Sequence, residues 1–326
     1  MLTLIKQTQA YNLMLREKRK GFHHAYLIVM DDSRHLRFVL KAFAKLFFDV
    51  ENEETKEECD LSARIDADGY PDCLAFPEEG KKPMVEDAEK IQEESALRPM
   101  HGDKKVFLVS DFADANASTQ NKLLKLLEEP PEGVVFLLGA TTSFSVLPTV
   151  LSRTKKLEIP SFDVPDVVAC LKRTYEGKYD DRVLELSAVA SGGNVGNARN
   201  VLESGKYNAL TETAFDFCLS SINTLPLAVK KHGDTANKKD VFTLLHTIFR
   251  DALLLKSGAG TEKDVVLKTE LERVKRVMNA YTVGALSKAQ SLLSKAEKDV
   301  FFNVPFAQAM EICIANLHAY NKNTRS

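Results

Sequence analysis

Two unbroken apolar runs constrain the fold most: "KVFLVSD" at 105–111 and "GVVFLLGATT" at 133–142, with one helical pattern between them. A strand with one wet face alternates apolar and polar residues. A strand without that alternation is covered on both faces. Two such strands joined through a helix predict a parallel sheet, because parallel neighbours need a long crossover. Further apolar runs at 25–30, 73–76 and 156–159 extend this sheet. Helical spacing at 3–18, 36–48, 84–96, 119–128 and 146–151 supplies its covering layers. The first 160 residues therefore read as an α/β domain.

Past Pro160 the pattern becomes helical. Short helices are expected over 164–202, around "ASGGNVGNARNVLES", and nearly continuous helix after Gly205. Val241, Leu244, Leu245, Ile248, Ala252 and Leu255 fall on one helical face. A loop is expected at "SGAGTEKD" (257–264), then helices at about 266–296 and 304–321. The predicted domains are thus an α/β core at 1–160, a small helical domain at 161–206 and a helical bundle at 207–326. The charged run "DVENEETKEEC" (49–59) reads as a solvated loop.

With 44 basic and 46 acidic side chains, the net charge of −2 argues against a stand-alone nucleic-acid binder, which usually carries a basic excess. No apolar run approaches the roughly 18–20 residues of a membrane helix. The first residues, "MLTLIKQTQAYNLMLREKRK", lack the apolar stretch of a signal peptide. Cysteines at 59, 73, 170, 218 and 313 are odd in number and scattered, as expected for reduced thiols in a cytoplasmic protein.

Between the first strand and its helix lies "DDSRHLR" (31–37). A phosphate loop would need glycines here to turn backbone amides inward, a lysine for the β/γ charge and a Ser/Thr for Mg²⁺. The joint has no glycine and no lysine.

The segment "NKLLKLLEEPPEGVVFLLGATTSFSVLPTVLSR" (121–153) resembles the clamp-loader branch of the AAA+ ATPases. A helix, the Glu128-Glu129-Pro130-Pro131 stop, a buried strand, "ATT" and "LPTVLSR" follow in that family's order. The resemblance extends to "HHAYLIV", "SALRPMHGDKKVFLVSD", "SGGNVGNARNVLE" and "RDALLLKSG". Within the branch it is most similar to delta-prime subunits of bacterial DNA polymerase III clamp loaders. It implies an AAA+ α/β core of parallel sheet and flanking helices, a helical lid and an all-α collar for oligomerisation.

Carried over position by position, the resemblance puts Met30, Ser33 and His35 at the glycines of the phosphate loop. Leu36 falls at its lysine and Arg37 at its Ser/Thr. Asp31 and Asp32 add negative charge where a triphosphate would sit. Ser110 falls at the first, and Asp111 at the second, position of the metal-associated acidic pair. A degenerate site is therefore expected, with no ATP binding and no intrinsic ATPase activity. "SRT" (152–154) keeps the arginine finger, Ser152 and Arg153, with Thr154 for the usual cysteine. In the family that arginine reaches a neighbour's γ-phosphate. Arg199 matches the lid arginine and, without a nucleotide, reads either as a structural ion pair or as keeping a residual or interface role. Thr141 and Thr142 fall at the γ-phosphate-sensing strand end. Cys59 matches the first ligand of the zinc module of such subunits and Cys73 is out of register, so no zinc is expected.

The implied role is that of a non-catalytic structural subunit. Its partners would be gamma/tau-type subunits, which bind ATP and Mg²⁺, a delta subunit, and through the assembly the sliding clamp and primer–template DNA. The setting would be a cytoplasmic, nucleoid-associated replisome, with no membrane contact. Lysine pairs at 81–82, 104–105, 155–156, 230–231 and 238–239 are candidates for phosphate contacts. The alternatives are an active gamma/tau-type ATPase and the clamp-opening delta subunit.

Overall fold

The computed structural model describes residues 1–50 and 54–324. The chain forms two compact units, Met1–Ser161 and Phe162–Ser326.

The first unit holds strands β1 (Ala25–Met30), β2 (Cys73–Phe76), β3 (Lys105–Val109), β4 (Val134–Ala140) and β5 (Lys155–Ile159). Their order is β2-β3-β4-β1-β5, and every neighbouring pair is parallel. Its helices are α1 (Leu2–Gln7), α2 (Gln9–Lys18), α3 (Ser33–Ala44), α4 (Lys56–Asp66), α5 (Val85–Ser95), α6 (Ala117–Glu128) and α7 (Pro148–Leu151). The expected doubly covered sheet is present. β3 and β4 are buried along their whole length. The edge strand β5 alternates instead, with Lys156 and Glu158 exposed around Leu157. Charges on an edge discourage pairing with a foreign strand.

On one face Ile91 of α5 and Leu123 and Leu127 of α6 join a cluster with Phe107, Phe112 and Phe136. Phe107 and Phe136 are cross-strand partners with stacked rings 5.5 Å apart. Such a pair adds about 0.5–1.5 kcal/mol beyond the area it buries. On the other face α3 approaches β4 closely at Gly139. A Cβ there would lie 3.0 Å from both Leu36 Cγ and Leu40 Cδ1. The missing side chain thus sets how near α3 can lie to the sheet, and α3 carries the joint that follows β1.

Several boundaries differ from the pattern-based expectation, each for a local reason. The helix expected over 3–18 breaks at Thr8, whose hydroxyl donates to the Ile5 carbonyl (2.7 Å) and accepts from the Tyr11 amide (3.2 Å). Within the run read as a loop at 49–59, residues 51–53 lie outside the described residues, whereas Lys56 onward is helix. That helix starts from a capping box: Thr55 Oγ1 accepts from the Glu58 amide, and Glu58 accepts from the Thr55 amide, each at 3.1 Å. α3 begins at Ser33 rather than 36, because Asp32 caps it.

The second unit contains α8 (Val164–Tyr175), α9 (Asp181–Ala190), α10 (Val195–Glu203), α11 (Tyr207–Leu219), α12 (Leu225–His232), α13 (Lys238–Ser257), α14 (Leu271–Ala280), α15 (Val283–Phe301) and α16 (Phe306–Asn323). The boundary expected at 206 falls inside this unit. Leu186, Val189 and Val201 share one apolar cluster with Phe215, Leu245 and Ile248. The single helix expected over 266–296 is two. Thr282 caps α15, and Asn321 bonds both the Thr282 amide (2.8 Å) and the Ala280 carbonyl (3.1 Å) exposed by the break. Asp251, fully buried, accepts from the amides of Val266 (3.0 Å) and Leu267 (2.9 Å), tying the loop that starts at 258 back to α13.

Filling Gly139 should separate α3 from the sheet. Gly139→Val is expected to cost about 1–3 kcal/mol, the usual penalty of overpacking, read as a lowered midpoint in urea unfolding.

Candidate functional site

Because the strands are parallel, their carboxyl ends share one edge of the sheet. In open α/β sheets ligands bind outside that edge. The joint after β1 and the residues after β3 meet there, so Met30, Ser33, His35, Leu36, Arg37, Ser110 and Asp111 are brought to one region.

Asp32 decides the character of this region. It is 2% exposed and caps α3. One carboxylate oxygen accepts from the His35 amide (3.2 Å) and the other pairs with His35 Nδ1 (2.8 Å). A helix N-terminus attracts anions through its unpaired amides and its dipole. Here the anion belongs to the chain. Asp31 beside it is exposed. Met30 ends β1 in the core and Ser33 is exposed at the first helical position. Leu36, at the lysine position, is completely buried beneath Gly139.

Arg37 turns away from any ligand and toward the protein. Its Nη1 donates to the Pro77 carbonyl (2.6 Å) and its Nη2 to Asp68 (3.1 Å). Lys41, one turn on, pairs with the other oxygen of Asp68 at 2.9 Å. The charged stripe of α3 is thus tied to the segment after α4.

Ser110 is buried. Its amide donates to the Phe76 carbonyl (2.9 Å), and its hydroxyl is directed at the same oxygen at 3.4 Å. Asp111 has left-handed backbone angles, φ 52° and ψ 34°. Burial holds its carboxyl above the usual range, with Asp114 adding to the shift and Ser110, Arg37 and Lys82 opposing it. The residues at this edge do not fit a triphosphate with Mg²⁺. The cap is occupied by a carboxylate, the lysine position is apolar and buried, and one metal position carries a serine bound to the backbone.

Ser152 and Arg153 lie elsewhere. They precede β5, so they sit at the amino edge of the sheet, one strand length from the joint, roughly 15–20 Å for strands of this size. Arg153 Nη1 donates to the Thr149 carbonyl (2.8 Å) and to Ser152 Oγ (3.0 Å), and Nη2 pairs with Glu128. The arginine lines an open cleft of about 600 Å³ with His23, His24, Glu128 and Lys155. His23 and His24 stack at 4.3 Å, and His24 is fixed by the Leu127 carbonyl at 2.9 Å.

The other expected positions are dispersed. Arg199 lies on α10 in the second unit. It bonds the Tyr175 hydroxyl (3.3 Å), covers that ring and pairs with Glu203 at 3.7 Å. Thr142 accepts from the Phe144 amide in the turn after β4. Cys59 is exposed on α4, while Cys73 is buried at the start of β2. Burial pushes the Cys73 thiol up to about 12, so it stays protonated and is a poor zinc ligand. Among the described residues no group of three or more His, Cys, Asp or Glu could hold a metal ion. Nor is any described helix long and apolar enough to cross a membrane.

Two roles that matter here, the cap made by Asp32 and the pairing of Glu128, were not assigned by sequence reasoning. Asp32 was legible as a cap, since an Asp directly before a helical pattern is a start signal. Glu128 had no local signal as the partner of Arg153, because the pairing is tertiary.

This α/β architecture has known relatives. Residues 6–163 match the family described as "DNA polymerase III, delta subunit". The chain is 28% identical over 148 residues to the DNA polymerase III subunit tau of Escherichia coli, covering 44% of this chain and 23% of that protein. It is 22% identical over 310 residues to the tau subunit of Bacillus subtilis, covering 86% of this chain and 54% of the relative. A DNA polymerase III gamma subunit-related protein from Thermotoga maritima aligns over 96% of this chain and 100% of its own at 19% identity, with a TM-score of 0.42. The chain spans about a fifth of the length of the curated relatives it matches first, 23% and 21%. Over residues 6–163, just under half of its length, the chain is thus similar to DNA polymerase III subunits.

The Asp111 carboxyl predicts a pH effect. Its folded value lies above the unfolded one, so the folded state holds the proton more tightly. The contribution of this group to stability is therefore greatest below its unfolded value of about 3.9 and is lost as pH rises from there through the raised folded value. Asp111→Asn, which suits left-handed backbone as well, is expected to raise the melting temperature at pH 7. The gain should shrink below about pH 4. Equal gains at both pH values would contradict the burial argument.

Proposed function

We propose that this chain is a delta-prime-like structural subunit of a replicative clamp loader. It neither binds nor hydrolyses ATP itself, and it supplies Arg153 to the ATP site of a neighbouring gamma/tau-type subunit. The observation that carries this reading is the opposition of the two sheet edges. At the carboxyl edge the helix that would receive phosphate is capped by the chain's own Asp32. At the amino edge an arginine follows a short helix beside an open cleft. A strand length separates them, so Arg153 cannot serve its own joint. An arginine placed this way suits a nucleotide held by another chain better than one at its own joint.

The chemistry suits that task. A guanidinium offers paired donors to phosphate oxygens and spreads positive charge over the transferring group. Such fingers are worth about 10³–10⁵ in rate. On this reading the helical second unit assembles with gamma/tau-type and delta subunits, and the complex places the sliding clamp on primed DNA. Its few phosphate contacts would be shared among subunits, which is compatible with a net charge of −2. Zinc has no part in it.

The similarity to tau and gamma subunits favours a second reading, an active ATPase with a divergent loop. Isothermal titration of the isolated chain with ATP and Mg²⁺ separates the two. The structural reading expects no heat of binding up to millimolar nucleotide, whereas micromolar affinity would overturn it in favour of the second reading. In the reconstituted complex, Arg153→Ala should leave assembly intact and depress DNA-stimulated ATP hydrolysis. The site it completes should lose about 10³-fold or more. An unchanged rate would remove the finger assignment.

A further inference from the structure

Arg153 is already occupied, and the occupant has the shape of what it is proposed to bind. Nη2 pairs with the Glu128 carboxylate, while Nη1 is held by the Thr149 carbonyl (2.8 Å) and Ser152 Oγ (3.0 Å). A carboxylate presents two oxygens to a guanidinium as a phosphate does. We infer that Glu128 is a latch: it holds the finger retracted in the free subunit and is exchanged for the terminal phosphate of a neighbour's nucleotide on assembly. This rests on the reading of Arg153 as a finger supplied in trans.

Three features make the exchange feasible. Glu128 is the last residue of α6, followed by Glu129 and the two prolines that stop the helix. A carboxylate at the negative end of a helix, with a second one beside it, is poorly placed unless a cation offsets it. Arg153 supplies that cation. Next, the pair is accessible, with the two side chains 32% and 48% exposed. Ion pairs so close to solvent are weak and break readily. A terminal phosphate carries more negative charge than one carboxylate and outcompetes it. Finally, the two contacts to Nη1 come from the turn that bears the arginine, so they can persist while Nη2 changes partner. Thr149 and Ser152 would then act as the fixed side of the device and Glu128 as the released side.

Steady-state ATP hydrolysis by the complete reconstituted clamp loader, with primed DNA and the clamp, tests this. Glu128→Gln keeps the shape and removes the charge. It is expected to lower KM for ATP about two- to fivefold, the range that a half-exposed ion pair allows, with kcat unchanged. In an Arg153→Ala background the same change should have no effect on KM, because nothing is left to release. An unchanged KM in a complex that Arg153→Ala does slow would overturn the latch and leave the finger standing. A fall in kcat with Glu128→Gln would also overturn it, showing that the carboxylate orients the finger and does not retain it. No effect of Arg153→Ala on its own would remove the finger, and the latch with it.

Discussion

The rest of the first unit depends on a single constraint, that all neighbouring strands run parallel. Parallel pairing forces each crossover onto a face of the sheet and collects every strand start at one edge and every strand end at the other. The joint after β1 and the Ser110–Asp111 step are neighbours for that reason, although far apart in sequence. The same rule carries His23, Glu128 and Arg153 to the opposite edge. The close seating of α3 at Gly139 then fixes where the first joint lies.

Within that frame the carboxyl edge satisfies itself. Asp32 supplies the negative charge a helix N-terminus attracts, Leu36 fills the space of a lysine with hydrocarbon, and Arg37 brings a cation toward Asp68 and Asp111. The helix N-terminus and the charged stripe of α3 are both satisfied by residues of the chain. The amino edge differs. Its arginine is held by three acceptors, but it stays within reach of solvent beside an open cleft.

Much of the architecture was legible in the sequence. β1 and β2 fall where their apolar runs lie, because buried parallel strands need unbroken hydrophobic stretches. Breaks in helices were less visible. Thr8, Thr55 and Thr282 each cap a helix inside a run whose spacing alone reads otherwise, and Thr55 carried a readable signal in Glu58 three residues later. The split at Thr282 depends on Asn321, which no local pattern announces. At the candidate site, the missing glycines and lysine were plain from the sequence, and the capping role of Asp32 could have been. The pairing of Arg153 with Glu128 is a product of the fold, since the chain passes through β4 and α7 between them.

The self-capped joint has a thermodynamic corollary. A protein whose pocket awaits a ligand draws stability from that ligand's concentration and shifts among conformations as the pocket fills and empties. On the proposed reading, a chain that carries the counter-charges within its own sequence would have no such dependence. Asp32 and Arg37 are present at fixed stoichiometry whatever the nucleotide pool contains. If the chain is the structural subunit proposed, it would be the fixed reference against which nucleotide-driven movements of its partners are measured.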